Sequence, residues 1–226
     1  MSLREPVIAI DGPAGAGKST AARLLASRLG YRLVDTGSMY RAVAWSVVQA
    51  GIDPEDGPAL RGHLARVAIA VDGERVRVDG RDVTEAIRTP EISALTSRLT
   101  ALAPVREKLT PLQRALAAPG GAVLEGRDTG TVVCPDADVK FYLDASLDTR
   151  ARRRHAELAG RGVALAFEDV RRELQVRDAQ DESRALAPLR RAPDAIALDS
   201  SELTADQVVA EMMRAVEERR ACCTSS

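Results

Sequence analysis

Eight residues, Gly12-Pro-Ala-Gly-Ala-Gly17-Lys18-Ser19, have the types and spacing to wrap phosphate oxygens. They satisfy G-x-x-x-x-G-K-[ST], in which glycines let backbone N–H groups converge on one anion. Pro6-Val-Ile-Ala-Ile10 ahead of them has the run of a short buried strand, and Ala21 to Leu29 behind them has helical periodicity. A helix starting there turns the positive end of its dipole on the same anion. Lys18 is one of three lysines, with Lys108 and Lys140, in a chain rich in arginine. At that position a slim ammonium reaches between β- and γ-phosphates where a planar guanidinium would not.

Such a loop implies a nucleoside triphosphate, not what is done with it. A GTPase needs an Asn-Lys-x-Asp guanine reader, and the chain has no asparagine. Motor and transporter ATPases follow an apolar strand with a magnesium-binding Asp; Ala122-Val-Leu-Glu125 is a weak counterpart. Small-molecule phosphoryl transfer remains.

Four further groupings suit that chemistry. Asp35-Thr36-Gly37, then Tyr40-Arg41, puts an acid, a hydroxyl, a ring and a guanidinium in reach of a monophosphate, although alone Tyr40 could be core and Arg41 a solvated charge. Glu125-Gly126-Arg127-Asp128-Thr129-Gly130 sets an Arg-Asp pair between glycines: Arg127 could grip a phosphate and Asp128 accept from a base or sugar, or the two could close a plain turn. Arg177, Asp181 and Arg184 share one helical face, with an acid to hold two guanidiniums in place, against the alternative of a solvated charge stripe. Arg150, Arg152, Arg153 and Arg154 crowd a helix start, with Arg150, Arg153 and Arg154 on one face. Gly160-Arg-Gly162 then breaks that helix before another begins at Phe167, the plan of a mobile lid closing over a phosphate. RNA binding is the rival reading of this cluster, but only 3% of residues are aromatic and none interleave with it.

Five short apolar runs must position these groups: Val7 to Ile10, Tyr31 to Val34, Ala122 to Leu124, Val139 to Leu143 and Ala195 to Leu198. Each is followed by an acid (Asp11, Asp35, Glu125, Asp144, Asp199), and ligands of open parallel sheets bind beyond the carboxyl ends of the strands. Asp144-Ala-Ser146 and Asp199-Ser-Ser201 suit turns into helices rather than chemistry. Helical patterns cover Thr20 to Leu29, Ser38 to Ala50, Pro104 to Ala117, Leu147 to Leu158, Phe167 to Asp181 and Thr204 to Arg219. The alternation predicts a doubly wound α/β sheet. Between about Gly51 and Pro90 it breaks: Val67 to Val71, Arg75 to Val78 and Arg81 to Val83, joined at Asp72-Gly73 and Asp79-Gly80, predict an antiparallel meander inserted on the substrate side.

At 226 residues and net charge −1, the chain needs no staples and shows no pull toward a polyanion. Cys134 stands alone, and Cys222-Cys223 lie in a polar tail; neither C-x-x-C spacing nor an even disulfide framework is present. Met1 to Glu5 carry no apolar leader core, and no run approaches the ~18 apolar residues of a membrane span. The expectation is a soluble cytoplasmic protein, a monomer, with no nucleic-acid or membrane partner.

Taken together, the motifs resemble the bacterial cytidylate kinases, a branch of the P-loop nucleoside monophosphate kinases. The likeness runs from about Val7 to Leu203 through Ile10-Asp-Gly-Pro-Ala-Gly-Ala-Gly-Lys18, Asp35-Thr-Gly37 with Tyr40-Arg41, Glu85-Ala-Ile-Arg-Thr89, Val105-Arg-Glu107, Gly126 to Val133, Pro135-Asp-Ala137, Leu143-Asp-Ala-Ser146, Arg177-Asp178 with Asp181 and Arg184, and Ala187-Pro-Leu189. The resemblance implies a three-layer P-loop fold with a five-stranded parallel sheet, an inserted monophosphate-binding subdomain carrying the meander, and a helical lid. Core segments would be 5–37, 109–149 and 185–220, the insertion 38–108 and the lid 150–184; residues 221–226 match no motif of the family and read as a disordered tail. ATP, the co-substrate, would lie on Gly12, Pro13, Ala14, Gly15, Ala16, Gly17, Lys18, Ser19 and Thr20, with Ser19 facing a Mg2+ ion held mainly by nucleotide and water. CMP or dCMP would lie on Asp35, Thr36, Tyr40, Arg41, Ser97, Arg106, Arg127, Asp128, Arg177, Asp181 and Arg184, with Arg41 and Arg106 on its phosphate. Catalysis would fall to Lys18, Arg127, Asp128 and the lid arginines Arg150, Arg153 and Arg154. UMP, a non-nucleotide acceptor, or nucleotide sensing without turnover are the alternatives.

Overall fold

The computed structural model describes residues 4–224. Five strands form one parallel sheet: β1 (Val7–Asp11), β2 (Arg32–Asp35), β6 (Ala122–Glu125), β7 (Val139–Asp144) and β8 (Ile196–Asp199), in the order β2-β6-β1-β7-β8. Side chains alternate across a strand, so one run must feed two cores. Ile8 and Ile10 join Val123, Phe141 and Leu143 beneath α1 (Lys18–Leu29) and α8 (Ala205–Thr224), while Val7 and Ala9 join Val34 and Leu124 on the opposite face, against Ala117 of α5 (Ala103–Ala117). The expected three layers and strand identities hold.

A second hydrophobic core lies outside the sheet. It gathers Met39 and Val43 of α2 (Thr36–Gln49), Leu60 and Leu64 of α3 (Pro58–Arg66), Val76 and Val78 of β4 (Arg75–Val78), Leu99 of α4 (Pro90–Leu99), and Val105 and Leu109 of α5. Thus α5 spans both cores. The meander is present as β3 (Ile69–Asp72), β4 and β5 (Arg81–Asp82). Its second turn, Asp79-Gly80, has φ 50° and 80°, the two positive values of a type I′ hairpin. The first turn is shifted by one residue from expectation: Asp72 pairs with Arg75, so the loop is Gly73-Glu74, with Gly73 at φ 59°. Positive φ at the first central residue favours glycine there, and this moves Glu74 to the turn tip.

Helices α3 and α4 went unforeseen because each is short and hidden among turn-forming residues. Pro58 and Pro90 nevertheless stand in their first turns, and Thr89 accepts from Ile92 N at 3.3 Å. Helices α6 (Leu147–Gly160) and α7 (Phe167–Ser183) form the expected hairpin. The tail expectation is corrected: α8 continues its helix through Thr224, and residues 225–226 lie outside the described residues. No helix among the described residues is long and apolar enough to cross a membrane.

Candidate active site

A cleft of about 770 Å³ opens beyond the carboxyl ends of β1, β2 and β6 and runs under α4, α6 and α7. At one end stands the glycine loop. Gly12, Gly15 and Gly17 take φ of 148°, 78° and 90°. A Cβ on Gly12 would sit 1.9 Å from the carbonyl oxygen of Leu143, so the loop leaves β1 in contact with β7 backbone. Gly17 precedes α1 without any side-chain cap, which leaves the first N–H groups of that helix for an anion. Lys18 is buried and donates from Nζ to Pro13 O at 2.6 Å, closing the loop on itself. Burial, then the nearby Arg127 guanidinium, push its pKa well down, and the Glu125 and Asp181 carboxylates offset this only in part. Ala14, Gly15, Gly17, Lys18, Ser19 and Thr20 line the cleft.

Ser19 Oγ donates to Glu125 Oε2 at 2.8 Å, and Thr36 Oγ1 donates to Glu125 O at 2.7 Å. Glu125 is buried, and burial with neighbouring Asp35 raises its carboxyl to about 7. The sequence offers it only as a weak counterpart of a magnesium-binding acid. Its signal was the weak strand-plus-acid pattern Ala122 to Glu125.

The opposite end is built from ion pairs. Asp35 caps α2, accepting from Ser38 N at 2.8 Å, and also accepts from Arg41 at 2.9 Å. Asp181 sits between two guanidiniums, accepting from Arg127 Nε at 2.8 Å and from Arg184. Burial would raise the Asp181 carboxyl, but Arg127, Arg184 and Arg177 outweigh it and hold it below its ordinary value. Arg127, not Arg177, is therefore the second partner of the Asp181 stripe. Arg177 is half-buried, its Nε enclosed and unbonded, and desolvation and Arg127 lower its pKa to about 10. Arg41 Nε is likewise unbonded. Thr36, Tyr40, Ser97, Asp128 and the residues just named all line the cleft.

Two of the expected arginines are engaged by protein groups. Arg106 pairs with Asp128, donates to Thr100 O at 3.2 Å and lies over the Tyr40 ring, all three of which line the cleft. It stands at the far end of the cleft with Asp128. Arg150 is buried under the loop, donating to Ala145 O at 2.9 Å, Ala14 O at 3.2 Å and Asp178 at 2.5 Å. Nε and Nη1 of that guanidinium are thus bound to protein, and the residue braces the loop from below. Arg153 and Arg154 do line the cleft, Arg153 held on Ser200 at 2.9 and 2.6 Å and Arg154 on Glu157 at 2.8 Å. Arg88 and Arg161 line it too, unanticipated, with Arg161 reaching Arg88 O at 3.4 Å. Asp144 and Asp199 serve turns as expected, accepting from Ala145 N and Ser201 N.

A parallel sheet with a glycine loop leaving its central strand for an uncapped helix, facing a charged acceptor pocket, defines a P-loop kinase. Solved structures carry the same fold: a gluconokinase from Sinorhizobium meliloti 1021 aligns at TM-score 0.51 and 14% identity over 99% of this chain and 98% of that one. A shikimate kinase from Acinetobacter baumannii aligns at 0.50 and 15%, over 95% and 94%. The Cytidylate kinase family model matches residues 8–218, and the chain belongs to the cytidylate kinase family, whose members are nucleoside monophosphate kinases. Cytidylate kinases of Citrifermentans bemidjiense and Geobacter sulfurreducens are 51% and 50% identical to it, over 95% and 94% of this chain and 94% and 93% of theirs.

Proposed function

We propose that this chain transfers the γ-phosphoryl group of ATP to CMP or dCMP, giving ADP and CDP or dCDP. The observation that carries the reading is the single cleft that joins the glycine loop to the Arg106–Asp128 and Arg127–Asp181–Arg184 pairs. Phosphoryl transfer asks for alignment and charge neutralisation more than for covalent help, and both ends of the cleft offer that. The acceptor phosphate is itself the nucleophile, so no general base is needed.

In this reading the α1 N–H groups and Lys18 hold the β- and γ-phosphates. The unbonded Nε–H groups of Arg41 and Arg177 face the acceptor phosphate. Arg106 and Asp128, with Ser97, recognise the cytosine; Asp181, Arg184 and Arg127 hold the ribose side, while Arg153 and Arg154 neutralise the transferring group. A Mg2+ ion fits the donors present: the Ser19 hydroxyl, whose proton goes to Glu125, keeps its lone pairs for a hard cation. Bound there, the ion would offset charge on the β- and γ-oxygens. Residues 38–108 then form the monophosphate-binding insertion and 150–184 the lid, which close to exclude water from the transferring group. We read the protein as a monomer in the cytoplasm.

Release of ADP measured over a panel of CMP, dCMP, UMP, AMP and shikimate tests the assignment. CMP and dCMP should give the highest kcat/KM. A response equal for every acceptor, or none, overturns it.

A further inference from the structure

Asp11 ends β1, is 4% exposed, and takes no part in the chemistry above. Its carboxylate accepts three hydrogen bonds from one short segment. Thr129 N and Thr129 Oγ1 each reach Oδ1 at 2.8 Å, and Gly130 N reaches Oδ2 at 2.7 Å. Those two N–H groups open a single π-type turn, Thr129–Val133, closed by Val133 N to Asp128 O and Cys134 N to Thr129 O. The first N–H groups of a helical turn have no partner within it, and the side chain just ahead ordinarily takes them. Here that residue is Asp128, and it makes no such bond. Its carboxylate accepts from Arg106 instead and lines the cleft.

We propose that Asp11 is a positioning residue that caps the Thr129 turn in place of Asp128, and so releases the Asp128 carboxylate to the acceptor end of the cleft. The turn has no room to drift away from this cap. A Cβ on Gly126 would meet Thr129 Cγ2 and Thr36 Oγ1 at 2.7 Å, and one on Gly130 would meet Lys140 Cδ at 3.2 Å. Burial raises the Asp128 carboxyl, Arg106 lowers it and Asp11 raises it further. The two carboxylates therefore repel, and Asp11, seated on those N–H groups, keeps Asp128 off them. Because Asp11 is followed directly by Gly12, one residue also ties the start of the phosphate loop to the Arg127-Asp128 segment. Without the cap, Asp128 would turn back to the orphan donors and leave the nucleotide.

The proposal rests on Asp128 touching the acceptor nucleotide, and a double-mutant cycle separates the two claims. KM for CMP and for ATP is measured for Asp11→Asn, Asp128→Asn and the double variant. Asp11→Asn should raise KM for CMP about tenfold, the effect of losing a charge-assisted hydrogen bond, with KM for ATP within about twofold. In the Asp128→Asn background the same change should alter KM for CMP by less than about twofold, since both act through one carboxylate. Multiplying effects, or an equal rise in KM for ATP, would overturn the proposal. An Asp128→Asn enzyme with unaltered KM for CMP would instead overturn the acceptor-site reading beneath it. Should Asp11→Asn fail to fold, Thr129→Val removes only the hydroxyl donor and Thr129→Ser keeps it. The first should raise KM for CMP by roughly threefold and the second should match wild type; wild-type behaviour of both would contradict the cap.

Discussion

The two ends of the cleft are built on opposite plans. The phosphate loop is backbone: three glycines at positive φ, an uncapped helix start, and a lysine folded onto its own loop carbonyl, all within Gly12 to Lys18. The acceptor end is side chain: Arg41–Asp35, Arg106–Asp128 and Arg127–Asp181–Arg184, collected from α2, α5, α7 and the segment after β6. A backbone site recognises what all triphosphates share, and at Gly12 it has no room for an added atom. A paired side-chain site holds its guanidiniums in place before the ligand arrives, and each pair can be removed separately. The contrast predicts failure by collapse at one end and by increments at the other.

Gly12→Ala should break the protein most severely. Its Cβ would lie 1.9 Å from the Leu143 carbonyl oxygen, so destabilisation of about 4 kcal/mol or more is expected in urea titration, with ATP binding lost alongside the fold. Lys18→Ala should keep the fold and lower kcat by ~10²-fold or more, the usual loss when one transition-state contact is removed. Near-normal turnover in that variant would remove Lys18 from its role. Arg150→Ala tests the buried strut under the loop. Leaving Asp178 unpaired should cost about 3 kcal/mol of stability, whereas Arg154→Ala should lower kcat with the unfolding midpoint held. If both arginines behaved alike, the distinction between strut and lid would fall.

Asp181→Asn should act on the acceptor end alone, raising KM for CMP about tenfold while KM for ATP stays within about twofold. Its smallest consequence lies in acid. Asp181 is held below its ordinary value, so its stabilisation is present above the unfolded carboxyl, at about 3.9, and is lost as pH falls through the folded value. The acid limb of a stability–pH curve should therefore be shallower in the variant than in wild type. Parallel limbs would count against the Arg127–Asp181–Arg184 arrangement.

What the sequence disclosed follows the same division. The strand runs, the row of acids behind them and the glycine loop depend on neighbours along the chain, and each stands where its pattern pointed. Asp79-Gly80 announced its hairpin because φ is a local property; Asp72-Gly73 was one residue out because pairing of Asp72 with Arg75 decides the register. The charged end was visible only as fragments. The Arg177–Asp181–Arg184 stripe was evident from its period, but the partner that completes it, Arg127, is 54 residues away. Arg150 and Arg153 share a helical face, yet packing of α6 against the loop buries one and leaves the other in the cleft. Glu125 looked like a poor magnesium acid until the fold brought Ser19 to 2.8 Å from it.

The central claim is that donor and acceptor anions meet in one cleft, and a bisubstrate compound with adenosine and cytidine joined by five phosphates tests it most directly. In titration calorimetry the account predicts one molecule bound per chain, tighter than ATP or CMP alone, with affinity weakened separately by Lys18→Ala and by Asp181→Asn. Binding no tighter than ATP, and indifferent to Asp181→Asn, would contradict it.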